Sequence, residues 1–293
     1  MLLRGVEPGI VIVTGAGSGI GWESAKALAA LGQTVVAGVL NELEMQRVKA
    51  SGVQGIIPLE LDVTNAEQIA AAVAFVESAE AEFGPVRGVV NNAGLVVAGP
   101  LEFISDPDLR VQFDVNVLGL MAVTRAFLPA LRSARGRIIN IGSVGGRLSV
   151  PFTGPYGASK FAVRALSDAL RVELRPSGVH VVLIEPGPIA TPIWERSLQT
   201  AKKRIASFPA RARQLYDREI DQVMLMTRKT AAGSIPVDRV VEIVVRALES
   251  RRPRAQYLVG AQAYVQAWAA RLPASVRDVA VLLAMGLPTH RPK

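Results

Sequence analysis

Tyr156 and Lys160 stand four residues apart, in a segment whose residue types could move a proton. Residues at this spacing share one face of a helix, so a helix here would present the phenol and the ammonium together. A free phenol has a pKa of ~10, and a neighbouring positive charge lowers that pKa toward the range useful for acid–base catalysis. Ser143 adds a hydroxyl that could hydrogen-bond a substrate oxygen. A Tyr-x-x-x-Lys pair alone is more often a surface pair, so its meaning depends on its surroundings.

A glycine-rich segment follows the first apolar run of the chain. Its residues are Thr14-Gly15-Ala16-Gly17-Ser18-Gly19-Ile20-Gly21. Glycines permit a tight turn and let backbone N–H groups approach a pyrophosphate at the positive end of a helix. The strict G-x-G-x-x-G pattern does not fit, because Ile20 and Trp22 stand where it needs its third glycine. The segment nevertheless indicates a phosphate-binding turn, with Gly15, Ser18, Gly19, Ile20 and Gly21 as candidate cofactor-binding residues.

Short apolar runs alternate with longer amphipathic segments, a pattern that favours βα units around a parallel sheet. We expect strands at 10–13, 34–39, 55–61, 88–91, 137–141, 179–184 and 256–259. The most regular helical segments are 20–31, 66–83, 156–174 and 237–249. Gly32, Gly84 and Gly178 stand where helix ends need a left-handed residue. The sequence therefore predicts a single-domain α/β protein, a Rossmann-like doubly wound parallel sheet of about seven strands with ligands at the carboxyl ends of the strands.

Further motifs follow the glycine turn in a fixed order. They are Asp62-Val63 after the third expected strand, Asn91-Asn92-Ala93-Gly94 at the fourth, Asn116, Ser143, Tyr156-x-x-x-Lys160, and Glu185-Pro186-Gly187-Pro188-Ile189 with Thr191. In this combination, over residues 10–260, the sequence resembles the short-chain dehydrogenase/reductases, and among them the hydroxysteroid- and retinol-dehydrogenase-like members. The resemblance implies an NAD(P)-dependent oxidoreductase that interconverts a hydrophobic secondary alcohol, steroid-, retinoid- or lipid-like, and its ketone.

The resemblance also implies a role for each catalytic candidate. Tyr156 would take the alcohol proton or donate it to the ketone, and Lys160 would lower the pKa of Tyr156 and hold the nicotinamide ribose. Ser143 would orient the carbonyl or alcohol. Asn116 would hold a water that links Lys160 to solvent, although a lone Asn in a helix is more often a structural hydrogen-bonder.

The cofactor would lie along the glycine turn, Tyr156 and Lys160. The resemblance adds Asp62, Val63, Asn92, Ala93, Gly94, Pro186, Gly187, Ile189 and Thr191 to this set. An acid at the end of the second strand would bind the ribose 2′-hydroxyl of NAD, and an Arg there would pair with the 2′-phosphate of NADP. Val39 and Leu40 occupy these positions. Because an unpaired buried phosphate is costly, the pattern favours NAD, with Asn41 as a neutral hydrogen-bond partner for the ribose.

A mostly apolar substrate wall is expected beside the catalytic residues. Its candidates are Ser143, Val144, Leu148, Phe152, Tyr156, Pro188 and Trp194. Residues 194–234 interrupt the βα rhythm and are expected to form a basic lid, which carries Lys202, Lys203, Arg204, Arg211 and Arg213. Residues 1–260 would be one domain including this lid. Residues 261–293 would be a helical tail that packs on the domain, on another subunit or on a membrane surface.

The whole chain has a formal net charge of +8, and its positive charge is concentrated in the last third. Residues 1–193 carry 15 Lys or Arg against 17 Asp or Glu, whereas residues 194–293 carry 18 against 8. A solvated helix face is the favoured interpretation, and attraction of an anionic substrate or an acidic membrane is the alternative. Nucleic acid is not an expected partner, because no binding motif is present and aromatic residues are few.

The 293-residue chain has no Cys and only two His residues, His180 and His290. The absence of Cys excludes a thiolate nucleophile and a Cys zinc site, and two His residues leave little basis for a Ser-His-Asp triad. No metal site is expected. The sequence shows neither a signal-peptide pattern nor an apolar run near the ~20 residues that span a bilayer. We expect a cytoplasmic protein that at most rests on a membrane surface.

Two function classes fit the predicted fold, an oxidoreductase and a catalytically silent dinucleotide-binding sensor. Sensors on this fold typically lack the Tyr–Lys pair, so its presence favours the enzyme. The family resemblance implies a homodimer or homotetramer, formed through the helix that bears Tyr156 and its neighbour.

Overall fold

The computed structural model describes residues 7–289. One parallel sheet holds seven strands in the order β3-β2-β1-β4-β5-β6-β7. The strands are β1 (Ile10–Val13), β2 (Thr34–Val39), β3 (Ile56–Glu60), β4 (Val86–Asn91), β5 (Arg137–Ile141), β6 (His180–Pro186) and β7 (Gln256–Val259). The predicted doubly wound, Rossmann-like α/β fold is thereby confirmed, and each predicted strand lies within two residues of its observed bounds.

Helices flank the sheet and follow its strands along the chain. They are α1 (Gly19–Ala30), α2 (Glu42–Ala50), α3 (Ala66–Phe83), α4 (Asp106–Phe113), α5 (Leu120–Ala134), α6 (Gly154–Glu173), α7 (Ile193–Ala206), α8 (Ala210–Ala232), α9 (Asp238–Glu249), α10 (Ala261–Ala269) and α11 (Ala274–Met285). Gly32, Gly84 and Gly178 have the positive φ that was predicted for them at helix ends.

Two apolar clusters form the core, one against each face of the sheet. All four residues of β1 are buried, because their side chains alternate between the two faces and both faces are covered. Val11 and Val13 pack in one cluster, whereas Ile10 and Ile12 pack in the other. Double-sided burial explains why the central strands are continuous apolar runs, the pattern that predicted them.

A π-helical turn, Asp114–Gly119, joins α4 to α5 without a break in the helical path. The helical stretch 106–134 is long and apolar enough to cross a membrane by length and composition alone. Its α5 part packs Val123, Phe127 and Leu131 into the core. This packing accounts for the hydropathy of the stretch without a membrane.

Two additions surround the carboxyl ends of the strands. Helices α7 and α8 stand between β6 and α9, in the region expected to form a lid, and α10 and α11 follow β7. In an open parallel sheet the ligand crevice opens where the connections from two neighbouring strands leave in opposite directions. In this sheet that point lies between β1 and β4. The additions therefore cover the place where the fold is expected to bind its ligand.

Candidate active site

A cleft of about 1610 Å³ lies at the carboxyl ends of the strands. Gly15, Leu40 and Asp62 line it from the early strands, and Ser143 and Tyr156 line it from the later ones. Side chains from α7, α8, α10 and α11 complete its wall. The cleft therefore joins the glycine turn to the Tyr–Lys pair, as a single extended site.

The glycine turn shapes the first part of the cleft. Gly15 and Gly19 have φ values of 62° and 57°, which favour glycine. A Cβ atom at Gly15 would stand 2.9 Å from the Ala93 Cα, and one at Gly21 would collide with the carbonyl oxygen of Gly15. The turn is thus pressed against the end of β4, and only glycine permits this approach.

The N-terminus of α1 points its backbone N–H groups into this turn. Among the described residues, no side chain caps α1 and no acid stands in its first turn. A helix start that is left open in this way attracts a phosphate, because its N–H groups and its dipole both favour negative charge. These features fit a nicotinamide dinucleotide, whose pyrophosphate would lie at Ser18, Gly19 and Ile20.

Thr14 and Asn92 lock the turn to β4. The Thr14 hydroxyl accepts hydrogen bonds of 3.0 Å from the backbone N–H groups of Asn92 and Ala93. The Asn92 amide donates in return to the carbonyl oxygens of Thr14 and Gly15. The sequence analysis assigned no role to Thr14, although its place at the start of the glycine motif was a usable signal.

Tyr156 and Lys160 lie on the first turns of α6, which starts at Gly154 with Pro155 in its first turn. The Lys160 Nζ atom is 5.8 Å from the centre of the Tyr156 ring and donates a 2.8 Å hydrogen bond to the Ile141 carbonyl. The Ser143 hydroxyl accepts from the Gly145 N–H at 3.0 Å. A Cβ atom at Gly145 would contact both Ser143 and Tyr156, so these two side chains face the same point.

Burial dominates the protonation equilibria of this pair. It raises the pKa of the Tyr156 phenol, and a hydrogen bond with Ser143 offsets part of that rise. It also lowers the pKa of the Lys160 ammonium to about 8. Lys160 was expected to lower the pKa of Tyr156, whereas the pKa of Tyr156 is raised, because desolvation disfavours the phenolate. The Lys160 ammonium donates its hydrogen bond to the Ile141 carbonyl.

Asn116 lies in the π-helical turn, 2% exposed. Its amide oxygen accepts from the Leu95 N–H at 2.9 Å, and its amide nitrogen donates to the Leu95 carbonyl and the Ser159 hydroxyl at 3.1 Å each. The Asn116 side chain is therefore used in structural hydrogen bonds, and the relay water expected at this residue stays a prediction. A π-helical turn frees backbone carbonyls instead, and such turns are frequent at functional sites.

The structure brings most predicted site residues to one cleft. Those that line it are Gly15, Ser18, Gly19, Ile20, Asp62, Val63, Asn92, Ala93, Gly94, Ser143, Val144, Leu148, Phe152, Tyr156, Lys160, Pro186, Gly187, Pro188, Ile189, Thr191 and Trp194. Of the described candidates, Gly21, Asn41 and Asn116 lie outside its lining. Gly21 acts through its missing side chain, as shown above.

Asn41, the expected neutral partner for the ribose, uses its side-chain oxygen to cap α2 by accepting from the Glu44 N–H at 3.0 Å. Glu44 lines the cleft in its place, beside Leu40. Glu44 was not predicted as a site residue, because an acid that binds the ribose was expected only at the end of β2. The signal was present, since an Asn followed three residues later by Glu resembles a capping box that starts a helix.

Aromatic side chains hold the lid over the substrate part of the cleft. The Phe208 and Phe103 rings are 6.1 Å apart, and the Tyr216 ring is 6.0 Å from those of Phe103 and Phe152. Arg204 pairs with Asp108 at 2.8 Å, with only 11% of its side chain exposed. The other basic residues of the expected solvated face are exposed, namely Lys202, Lys203, Arg211 and Arg213. Arg204 is therefore the exception to that expectation.

An ion pair connects the Ser143 turn to the end of β6. Arg147 donates to both carboxylate oxygens of Glu185, which is fully buried, and also to the side chain of Gln256. The pair fixes the segment of Ser143 relative to Pro186 and Gly187. Its bidentate geometry gives this joint a defined orientation.

Comparison with known proteins agrees with this geometry. A model of the family "short chain dehydrogenase" matches residues 9–202. The chain therefore belongs to the short-chain dehydrogenase/reductase family, and it is an oxidoreductase. The predicted family is confirmed.

Characterised relatives cover most of the chain. It is 36% identical over 252 residues to a 3-amino-tetrahydro-pyrrolizinone reductase of Xenorhabdus hominickii, an alignment that covers 85% of this chain and 86% of that protein. It is 35% identical over 267 residues to 17-beta-hydroxysteroid dehydrogenase type 6 of Rattus norvegicus, covering 89% and 81%. The predicted likeness to hydroxysteroid dehydrogenases is confirmed.

Solved structures share the fold and show the cofactor class. A Burkholderia phymatum short chain dehydrogenase/reductase in complex with NAD matches with a TM-score of 0.73 at 27% identity, covering 99% of both chains. A Burkholderia cenocepacia short chain dehydrogenase in complex with NADP matches with a TM-score of 0.71 at 28% identity, covering 96% and 99%. The cofactor of this chain is thus a nicotinamide dinucleotide.

Proposed function

We propose that this enzyme interconverts a hydrophobic secondary alcohol and its ketone, using Tyr156 as the proton donor and acceptor. The observation that carries the proposal is the convergence of Tyr156, Lys160 and Ser143 at one wall of a cleft that continues into an apolar chamber. Geometry of this kind places a hydroxyl donor pair beside a substrate carbonyl.

A bound nicotinamide supplies or accepts the hydride at the substrate carbon. The chain itself orients the substrate and handles the proton. Ser143 and Tyr156 hold the substrate oxygen between them, and Tyr156 gives its phenolic proton to the oxygen during reduction or accepts it during oxidation. Burial favours the protonated phenol, which is the form that reduction requires.

Lys160 has three tasks in this scheme. Its ammonium would stabilise the phenolate that Tyr156 becomes after giving up its proton, and it would donate to the ribose hydroxyls of a bound cofactor. With a pKa of about 8, Lys160 can also lose and regain a proton near neutral pH. The π-helical turn at Asn116 would offer backbone carbonyls to the water that reconnects this pair to solvent.

The substrate class follows from the wall of the chamber. Leu148, Val150 and Phe152 line it from the loop before α6, and Leu198, Ile205 and Val223 line it from the lid. Burying a large apolar substrate against such a wall is favourable by about 25 cal/mol per Å². The hydroxysteroid dehydrogenase relative supports a steroid-, retinoid- or lipid-like substrate.

The test is reduced-nicotinamide absorbance with a matched panel of secondary alcohols and ketones. We expect steroid-, retinoid- and long-chain substrates to give higher kcat/KM than propan-2-ol or acetone by at least ~100-fold, since each buried methylene contributes ~0.8 kcal/mol. Equal kcat/KM across the panel would overturn the substrate class. Absence of absorbance change with every member and both cofactors would overturn the activity.

We also propose a homodimer or homotetramer. Phe161 and Val172 on α6 and Leu118 before α5 are 43%, 68% and 59% exposed, which leaves apolar surface along the predicted subunit contact. Analytical ultracentrifugation tests it: a monomer at micromolar concentration contradicts the proposal.

We also propose that the protein is cytoplasmic and that its tail contacts a membrane surface. Trp268 and Leu283 are 64% and 66% exposed on α10 and α11. Co-sedimentation with anionic vesicles should fall when both are changed to Gln, and equal sedimentation of both proteins would overturn the membrane contact.

A further inference from the structure

The end of β2 carries neither an acid nor an arginine, but Glu44 of α2 lines the cleft beside Leu40. We propose that Glu44 selects NAD(H) over NADP(H), by accepting a hydrogen bond from the 2′-hydroxyl of the adenosine ribose and repelling a 2′-phosphate. This inference rests on the nicotinamide-dependent function proposed above. It names a selector that comes from the first turn of α2 rather than from the end of β2.

Contacts with Leu40, Asn41 and Gly17 hold Glu44 in place. Its Oε2 atom accepts a 3.1 Å hydrogen bond from the Leu40 N–H, and its backbone N–H is bound by Asn41. A Cβ atom at Gly17 would collide with the carboxyl group, so the carboxylate lies directly against the glycine turn. Only 14% of the Glu44 side chain is exposed.

The position of this carboxylate follows the order of groups in a dinucleotide. The open N-terminus of α1 would hold the pyrophosphate, and the adenosine ribose is the next group along the cofactor. Leu40 and Glu44 line the same cleft as Ser18 and Gly19, and the Glu44 carboxyl group lies against Gly17, so Glu44 would face that ribose. A carboxylate accepts well from a hydroxyl, and it repels a phosphate dianion.

Two guanidinium groups stand close to the same corner. Arg196 of the lid has its Nη1 atom 3.9 Å from the Glu44 carboxylate, with 56% of its side chain exposed. Arg47 donates to the Gly17 carbonyl at 3.5 Å. Because the Arg196 side chain is mostly exposed and 3.9 Å away, this ion pair is weak and does not cancel the charge of the carboxylate. Removal of the charge at Glu44 therefore leaves two cations that favour a 2′-phosphate, so this single carboxylate sets the sign of the cofactor preference.

A capping role is the competing explanation for Glu44, since its side chain also satisfies the Leu40 N–H. Glu44→Gln separates the two roles, because Gln keeps an acceptor for that N–H and loses the charge. Glu42→Gln is the matched control. Glu42 is an exposed acid in the same helical turn, and its change alters the net charge equally.

The experiment measures Kd for NADH and for NADPH by fluorescence titration of the full chain without substrate, at fixed ionic strength. We expect the unmodified chain to bind NADH at least ~10-fold more tightly than NADPH, each factor of ten being about 1.4 kcal/mol. Glu44→Gln should weaken NADH by ~10-fold and tighten NADPH by ~10-fold, while Glu42→Gln changes the ratio by less than ~2-fold.

Four outcomes overturn the inference. An unchanged ratio in Glu44→Gln, with melting temperature lowered, assigns Glu44 to capping alone. An equal shift in Glu42→Gln shows that only overall charge matters. Failure of the unmodified chain to bind either cofactor overturns the proposed function and this inference with it, whereas binding of both with a ratio insensitive to Glu44→Gln overturns this inference alone.

Discussion

The two sides of the cleft are built differently. The cofactor side consists of strand ends and turns whose residues are bonded to one another, as Thr14 is to Asn92 and Lys160 to Ile141. The substrate side consists of α7, α8, α10 and α11, which meet the domain mainly through side chains. In α11 none of the twelve described residues is buried. The charge follows the same division, since the excess of Lys and Arg begins at residue 194.

This difference matches the two tasks of the site. Hydride and proton transfer need fixed geometry, and buried, fully bonded groups supply it. Admission of a bulky apolar substrate needs a cover that can open, and helices with few buried residues open at low free-energy cost. The comparison therefore predicts large effects for changes on the cofactor side and small, substrate-specific effects on the lid.

The largest effect is expected where a charge is buried beside the catalytic turn. Arg147→Met should lower the free energy of unfolding by about 3–5 kcal/mol, because Glu185 would be left buried without its partner. Arg213→Met in α8 breaks a pair whose side chains are 60% and 59% exposed, and it should cost only about 0–1 kcal/mol. Urea unfolding of both variants gives the comparison, and equal costs would remove the distinction between the two sides.

The buried ammonium of Lys160 should produce a pH-dependent penalty. Its pKa falls from 10.5 to about 8 on folding, so the penalty is fully present below pH ~8 and disappears as the pH rises toward ~10.5. Its size is ~3 kcal/mol, at 1.36 kcal/mol for each pH unit. Lys160→Met lacks this penalty.

The free energy of unfolding of the unmodified chain should therefore rise relative to that of Lys160→Met as the pH increases from 8 to 10.5. Chemical denaturation across this range, without cofactor, measures the difference. The surface variant Lys26→Met, whose side chain is 38% exposed, is the control. A difference that stays constant with pH would show that Lys160 is not buried as described.

The smallest effect is expected in the lid. Phe208→Ala removes the contact with Phe103, and such aromatic contacts contribute about 0.5–1.5 kcal/mol. KM for the best bulky substrate should rise by ~2- to 10-fold, while Kd for NADH stays unchanged. Tyr264→Ala, at an exposed aromatic residue on α10, should change neither constant. A parallel change of KM and cofactor Kd in Phe208→Ala would indicate that the two sides are coupled.

Local patterns were sufficient to predict the cofactor side. Its strands are buried on both faces and read as apolar runs, and its glycine turn and Tyr–Lys pair are defined by short spacings. Glu44 was missed, and Asn41 was expected at the ribose, because their side chains are directed by hydrogen bonds to Leu40 and Glu44, which spacing alone does not reveal. Nor does spacing reveal that the Asn116 side chain is hydrogen-bonded to Leu95. Arg204 was read as part of a solvated face because its partner Asp108 is distant in sequence.

The central claim is that Tyr156 transfers the proton in a site that binds the cofactor independently of it. Single-turnover hydride transfer, measured together with Kd for NADH, tests this claim in Tyr156→Phe. The rate constant should fall by ~10²- to 10⁴-fold, the contribution expected of a positioned acid–base group, while Kd stays within ~2-fold. A variant that binds NADH normally and keeps the full hydride-transfer rate would contradict the account.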